Sequence, residues 1–522
     1  MDAPVASGSS PPVPPPLLPK KLTGWELYRD IMKSPKHIVA PMVDQSELAW
    51  RVLSRRYGGH VCYTPMINAK IYSDPRHKAA YCEGAFNLAL DEEGNPSVDR
   101  PLVIQFAAND PDALLASAKA LQHKCDAVDI NFGCPQDIAR RGRYGAYLCE
   151  DWDLIYKLIN ILHVNLDIPV TAKFRIFSDV EQTIKYAKMM ESAGAQILTC
   201  HGRTRDQRGH KSGLADWSQI AAVKRAVSVP VFANGSVLYA DEVQKCLDST
   251  GADAYMSAEP QLHNPALFFD PSASPSTSPL SDPSITPSAI SLSPQQHSLY
   301  PLHADLALEY LSIVSSLKTS TTPSAVKAHL FKIMFPGLPR EIDLRNRLGV
   351  ASMRLNGVGV YVEICEEMKA RMDRDIAAAG WDPSSPGAYD FPIDPVTGLK
   401  TIPHWLVQPN VRLPKVAPVP EGPDLQARLA KSKAATSMSA SASGAIPTPG
   451  LPPPVANRDS VSGSDTSQLA PQAEAPVVGY KRRSHDVPTA DDDEAVEATG
   501  IRAVDAVSKR ARCESSTVSV TS

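Results

Sequence analysis

AVDINFGCPQDIARRGRYGAYLCEDWDLIYKLINILHVNLDIPVTAKFRI, residues 127–176, decides the fold. AVDINF and PVTAKFRI are short runs of Val, Ile, Ala and Phe with little polar alternation, the pattern of strands buried on both faces. Between them DWDLIYKLINIL opens on an Asp that can cap a helix, then repeats its apolar residues at helical spacing. Strand, helix and strand in this order make a parallel βαβ unit.

The same unit recurs on both sides. Further strands are expected at 37–43, 61–66, 102–108, 197–203, 230–236 and 254–259. Helical patterns such as SELAWRVLSRRYG, DPDALLASAKAL, DVEQTIKYAKMMESAG, DWSQIAAVKRAV and ADEVQKCLDS lie between them. Eight strands with crossovers in about 240 residues match a (β/α)8 TIM barrel. A doubly wound open sheet is the structural alternative.

Composition sets the boundaries. Residues 1–21 are Pro-rich and read as a disordered N-terminus without a secretory signal. The barrel is expected over 22–270, a Ser/Pro-rich linker over 271–300 and a smaller helical domain over 301–380. An irregular Pro-rich segment follows at 381–415, then a disordered tail at 416–522. Net charge is −4, so any nucleic-acid contact must come from local patches. Nine cysteines occur singly, without CxxC spacing, which argues against a metal site and a disulfide framework. No apolar run approaches the roughly 18 residues needed to span a bilayer.

Barrel chemistry sits at the C-terminal ends of the strands. There the sequence places Met42, Gln105, Asn131 and Cys134, Lys173 and Arg175, His201 and Arg203, Asn234 and Gly235, then Ser257. Gln105, Lys173 and His201 follow apolar residues and would be costly to bury unpaired. A fixed cation, an amide and a strand-end Gly suit a flat ring that takes up negative charge and carries a phosphate. FMN meets that description, although other phosphate-bearing ligands remain open at this point.

APMVDQSELAWR (40–51), INFGCPQDIARRGRYGAYL (130–148), AKFRI (172–176), LTCHGRTRDQRG (198–209), FANGSV (232–237), MSAEPQLHNPALF (256–268) and VKAHLFKIMF (326–335) resemble the tRNA-dihydrouridine synthases. They look most like the eukaryotic branch acting at tRNA positions 16/17. The resemblance implies an FMN enzyme driven by NADPH or NADH that reduces the C5=C6 bond of a D-loop uridine. Hydride would go from reduced FMN to C6, and a proton from Cys134 to C5. Pro41, Met42, Val43, Gln105, Lys173, His201, Ala233, Asn234, Gly235, Ser257 and Ala258 would contact FMN. Asn131 and Arg175 would lie near the uracil. The family pattern usually has Gly where this chain has Pro260, which removes one possible backbone contact to phosphate.

Arg140 and Arg141, with Arg143, form one basic cluster; Arg203 and Arg205, with Arg208 and Lys211, form another. Both fall on the loop face and are expected to meet tRNA phosphates, and the helical domain over 301–380 is expected to bind tRNA as a second platform. The expected protein is a monomer of the cytoplasm and/or nucleus, with tRNA as partner and with neither metal nor membrane. A flavin barrel reducing a free pyrimidine or other small molecule, and a non-catalytic RNA-binding barrel, are the competing readings. The Arg-rich loops speak against the first. The Cys134, Lys173, Gln105 and His201 set speaks against the second.

Overall fold

Eight parallel strands close into a barrel: β1 His37–Val39, β2 Val61–Tyr63, β3 Leu102–Ala107, β4 Ala127–Phe132, β5 Val170–Arg175, β6 Ile197–His201, β7 Val231–Asn234 and β8 Ala254–Ser257. The structure is a computed structural model that describes residues 21–76, 86–270 and 298–411. All but Lys21 of the N-terminal segment, residues 271–297 of the linker and the whole tail lie outside the described residues.

Each strand pairs in parallel with its sequence neighbour. Closure comes from β1 against β8, with Ile38 opposite Met256 and Val39 opposite Ser257. The two-residue strand Ile67–Asn68 adds a side pairing to β3. Several strands are shorter at their C-terminal ends than expected. β1 stops at Val39 because Pro41 has no N–H to continue the ladder. The residues trimmed in this way belong to the loops that carry the site.

Side chains alternate between two environments, as strand geometry requires. Val61, Val103, Ala127, Ile197, Phe232 and Ala254 face the barrel interior, where Leu27, Tyr28 and Met32 of the N-terminal segment plug the floor. The Tyr28 hydroxyl donates to Asp253 O at 2.9 Å and fixes that plug. The alternate positions, among them Cys62, Ile104, Val128, Ala172 and Cys200, pack outward against the helices.

The helical ring includes α1 Leu48–Arg56, α2 Pro111–Leu121, α3 Trp152–Asn165, α4 Val180–Ser192, α5 Trp217–Ala226 and α6 Ala240–Thr250. Asp110, Asp151, Asp179 and Asp216 accept first-turn amides and start α2 to α5. At α1 Glu47 occupies the cap position without a side-chain cap bond, and the Ser46 hydroxyl bonds the backbone of Met42.

Beyond the barrel, α7 His303–Ser316, α8 Pro323–Ile333, α9 Ile342–Val350 and α10 Gly359–Ala379 form the helical part. It packs directly on α1. Trp50, fully buried, stacks on the His329 ring at 4.0 Å and donates through Nε1 to Gln261 at 2.7 Å. Glu47 accepts from the Tyr310 hydroxyl at 2.8 Å and meets His329 Nε2 at 3.0 Å. Residues 381–411 lack regular elements but return to the barrel. Leu302 pairs with Leu406, and Lys400 Nζ reaches Asp241 on α6 at 2.9 Å.

Trp50→Ala is expected to cost about 3–5 kcal/mol in chemical denaturation, as for other buried aromatic truncations. Burial would raise the Glu47 carboxyl, but electrostatic attraction to His329, then hydrogen bonds from His329 and Tyr310, hold it below its ordinary value of 4.5. Its ionisation therefore stabilises the fold above pH 4.5, and this contribution is lost as pH falls through the depressed folded value. The stability gap between wild type and Glu47→Gln should accordingly narrow below pH 4.5.

Candidate active site

Strand alternation turns Gln105, Asp129, Asn131, Thr171, Lys173 and His201 into the upper barrel interior. They form one hydrogen-bonded file. The Thr171 hydroxyl donates to Asp129 Oδ1 at 2.6 Å, and Gln105 Nε2 donates to Asp129 Oδ2 at 2.8 Å. Asn131 Nδ2 donates to Gln105 Oε1 at 3.1 Å. The Asn131 oxygen accepts the backbone N–H groups of Gly133 and Cys134, each at 2.9 Å. Burial pushes the Asp129 carboxyl up to about 6, against the pull of Thr171, Gln105 and Lys173.

Beside this file stands a group of cations. Lys173 Nζ donates to Asn234 Oδ1 at 3.1 Å. Arg203 reaches Ser236 Oγ at 3.1 Å and meets His201 Nε2 at 3.3 Å. Arg175 gives Nε to Gly133 O at 2.8 Å and Nη1 to Thr204 O at 2.9 Å. Among the described residues, none of the three forms an ion pair with a carboxylate. Burial lowers Lys173 to about 8, with Arg175 adding to the effect. Burial and Arg203 lower Arg175 to about 10. His201 is driven well below its ordinary value by burial, then by all three cations.

Three crowded cations, offset at longer range by Asp129 at Lys173 and by Glu259 at Arg203 but ion-paired to no carboxylate among the described residues, favour an anion at this mouth. The backbone provides the matching concavity. Gly235 has φ +111°, and a Cβ there would lie 2.9 Å from Ala215 Cβ and 3.0 Å from His201 Cδ2. Only glycine lets the β7 loop close on the His201 ring. Ser236 follows at φ +61°, and the buried Ser257 hydroxyl has no hydrogen-bond partner among the described residues. This donor set fits a phosphorylated ring that carries negative charge, as FMN does when reduced.

Cys134 is half-buried on the loop after β4. Besides Asn131 and Arg175, that loop is held by Tyr147, whose hydroxyl donates to Pro135 O at 2.9 Å, and by Arg208, which donates to the same oxygen at 2.9 Å. Ala146 N donates to Cys134 O at 3.0 Å. Gly145 closes the loop at φ +64°, where an added Cβ would lie 2.7 Å from Cys134 O.

The expected residues divide between mouth and surface. Gln105, Asn131, Lys173, Arg175, His201, Asn234 and Gly235 come together. Pro41 and Met42 are half-buried at the end of β1, whereas Val43 is 53% exposed. Ala233 faces the helices, so only its backbone can serve the mouth. Ser257 is likewise fully buried, with half-buried Ala258 following it. Pro260 is the second residue of the short helix Glu259–His263. Arg140 and Arg141 are exposed on the helix Asp137–Gly142. Arg205 pairs with Glu150 at 3.0 Å and lies over the Tyr147 ring. Arg203 turns inward to His201 and Ser236, away from that surface. Asp129, Thr171, Gly145 and Ser236 were not singled out from sequence. A charged residue two positions before Asn131, inside an apolar strand, was the available signal for Asp129.

Among the described residues, no group of three or more His, Cys, Asp or Glu side chains could hold a metal ion. No helix among them is long and apolar enough to cross a membrane.

Fold and site together define a (β/α)8 barrel with a cation-rich mouth and a half-buried thiol on the loop after β4. The family model "Dihydrouridine synthase (Dus)" matches residues 38–310, and the chain belongs to that family. It is 41% identical over 408 residues to a Saccharomyces cerevisiae protein named as a tRNA-dihydrouridine(16/17) synthase using NAD(P)+, covering 76% of this chain and 88% of that one. A Schizosaccharomyces pombe protein of the same name is 39% identical over 412 residues, covering 75% of this chain and 92% of its own. A Rattus norvegicus protein named as like that enzyme is 39% identical over 395 residues, covering 75% and 77%.

Gly145→Ala should leave flavin binding intact and reduce turnover on tRNA by roughly 10²-fold, the cost of misplacing a reacting group by about 1 Å. Steady-state kinetics with the flavin content measured in parallel would check it.

Proposed function

We propose that this chain reduces uridine at positions 16/17 of the tRNA D-loop to dihydrouridine, as a monomer, with FMN at the barrel mouth and NADPH or NADH as electron source. Family membership and the names of the yeast relatives support the reaction. The observation that carries the cofactor is the trio Lys173, Arg175 and Arg203, crowded together with no ion-paired carboxylate among the described residues.

When bound, the flavin supplies the hydride that adds to C6 of the uracil. The chain's residues do the rest. Gln105 and Lys173 would meet the polar edge of the ring, where Lys173 would offset negative charge. His201, Asn234, Gly235 and Ser236 would hold the phosphate, with Arg203 beside them. Asn131 and Arg175 hold the loop that carries Cys134. Cys134 keeps a proton on Sγ and delivers it to C5, where charge builds as C6 is reduced.

Recognition of tRNA rests on shape and phosphate contacts. Arg140 and Arg141, exposed near the Cys134 loop, suit that task. So do Arg205 and Arg208 across from them. The target base must leave its stack to reach the ring. A reductase of free pyrimidines needs no such basic rim, and a binding protein needs no Cys134. The enzyme would act in the cytoplasm or nucleus; the KRR and KRAR runs at 481–483 and 509–512 are compatible with nuclear import.

Purified protein should be yellow and release FMN on denaturation. Cys134→Ala should keep flavin and tRNA affinity but lose at least about 10²-fold in dihydrouridine formation, the typical contribution of a positioned acid. Normal product from that variant excludes Cys134 as the acid. The paired Arg140→Ala, Arg141→Ala variant should weaken tRNA binding more at low salt than at high. An equal loss at both ionic strengths rules out phosphate contact by these residues.

A further inference from the structure

Asp129 is a fully buried carboxylate in the middle of β4, facing the barrel interior beneath the mouth. Neither the proposed hydride chemistry nor the cysteine acid needs a carboxyl group there. Its surroundings show what it does. Each of its oxygens accepts one hydrogen bond, from Thr171 and from Gln105. Gln105 is then joined to Asn131, and Asn131 to the amides of Gly133 and Cys134.

The file has one direction. Backbone amides only donate, so Asn131 must turn its oxygen to Gly133 and Cys134. Its NH2 group therefore faces Gln105, whose oxygen accepts. The NH2 group of Gln105 is left facing down, where it needs an acceptor. Asp129 is that acceptor. Thr171 supports it from β5, so neighbouring strands share the anchor.

We infer that Asp129 is a positioning residue that fixes, through this single file, both the amide meeting the flavin edge and the loop presenting Cys134. The inference rests on the flavin reading for its first half only. An apolar residue at 129 would leave the Gln105 NH2 group buried without a partner. The cheapest escape is for Gln105 to swing or flip, which breaks its bond to Asn131 and frees the Cys134 loop. An Asn at 129 can still present an oxygen to Gln105, while its own NH2 group donates to the Thr171 hydroxyl, which can turn to accept. The file then survives with its charge removed.

The test compares Asp129→Leu and Asp129→Asn with wild type, all FMN-saturated. The rate of Cys134 alkylation by iodoacetamide is followed by peptide mass spectrometry, and FMN affinity by flavin fluorescence. Asp129→Leu should alkylate at Cys134 at least about 3-fold faster and bind FMN at least about 10-fold more weakly, the loss expected when a hydrogen bond to a buried polar group is removed. Asp129→Asn should alkylate within about 2-fold of wild type, since the bonds remain. Wild-type alkylation and FMN affinity in Asp129→Leu overturn the inference. So does an Asp129→Asn variant as loosened at Cys134 as Asp129→Leu, because packing or charge would then be responsible. Should Asp129→Leu fail to fold, Gln105→Met cuts the file one link further on and must loosen Cys134 equally; an unchanged rate there overturns the inference as well. A wild-type protein that takes up no FMN would reject the flavin reading instead, and the alkylation comparison, which needs no flavin, would still judge Asp129.

Discussion

Crowding of Lys173, Arg175 and Arg203 at the barrel mouth is the constraint on which the rest depends. Burial opposes the charge of all three, and neighbouring cations add to the cost at Lys173 and Arg175, with no ion-paired carboxylate among the described residues. The chain tolerates this because backbone carbonyls and Asn234 hold the three groups in place. Such a site is organised before its ligand arrives. An anion entering it meets fixed charge and does not have to reorganise the protein.

Rigid packing around the mouth gives that arrangement its support. The plug of Leu27, Tyr28 and Met32 fills the floor, so the interior is a solid core. The helical part leans on α1 through Trp50, Glu47 and His329, immediately after the β1 loop that carries Met42. Ser46 ties Met42 to the start of the same helix. Anything that loosens the helical part therefore acts on one wall of the site, so the helical part and the mouth are mechanically joined.

Much of this was legible in the sequence. Buried parallel strands are apolar throughout, so AVDINF and PVTAKFRI announced themselves, and the Asp caps marked the helices between. Gln105, Lys173 and His201 stood out because polar groups inside apolar runs need a reason. Directions and partners were not legible. Arg203 reads as part of a basic cluster, yet the β6 loop turns it inward. Val43 reads as continuing β1, yet Pro41 ends the ladder and Asp44 takes a left-handed turn that leaves Val43 exposed. Asp129 was hidden for a different reason. Its role depends on Gln105 and Thr171, which lie 24 and 42 positions away and meet it only after the barrel closes.

The most direct measurement is the midpoint potential of the bound flavin in wild type and in Lys173→Met, by spectroelectrochemistry at saturating FMN. If fixed positive charge at the mouth offsets the negative charge of the reduced ring, losing Lys173 must make reduction harder. A fall of at least about 30 mV, equivalent to about 1.4 kcal/mol for a two-electron couple, is predicted. Equal potentials in the two proteins would contradict the account, because the cation would then have no electrostatic hold on the ring it is placed to meet.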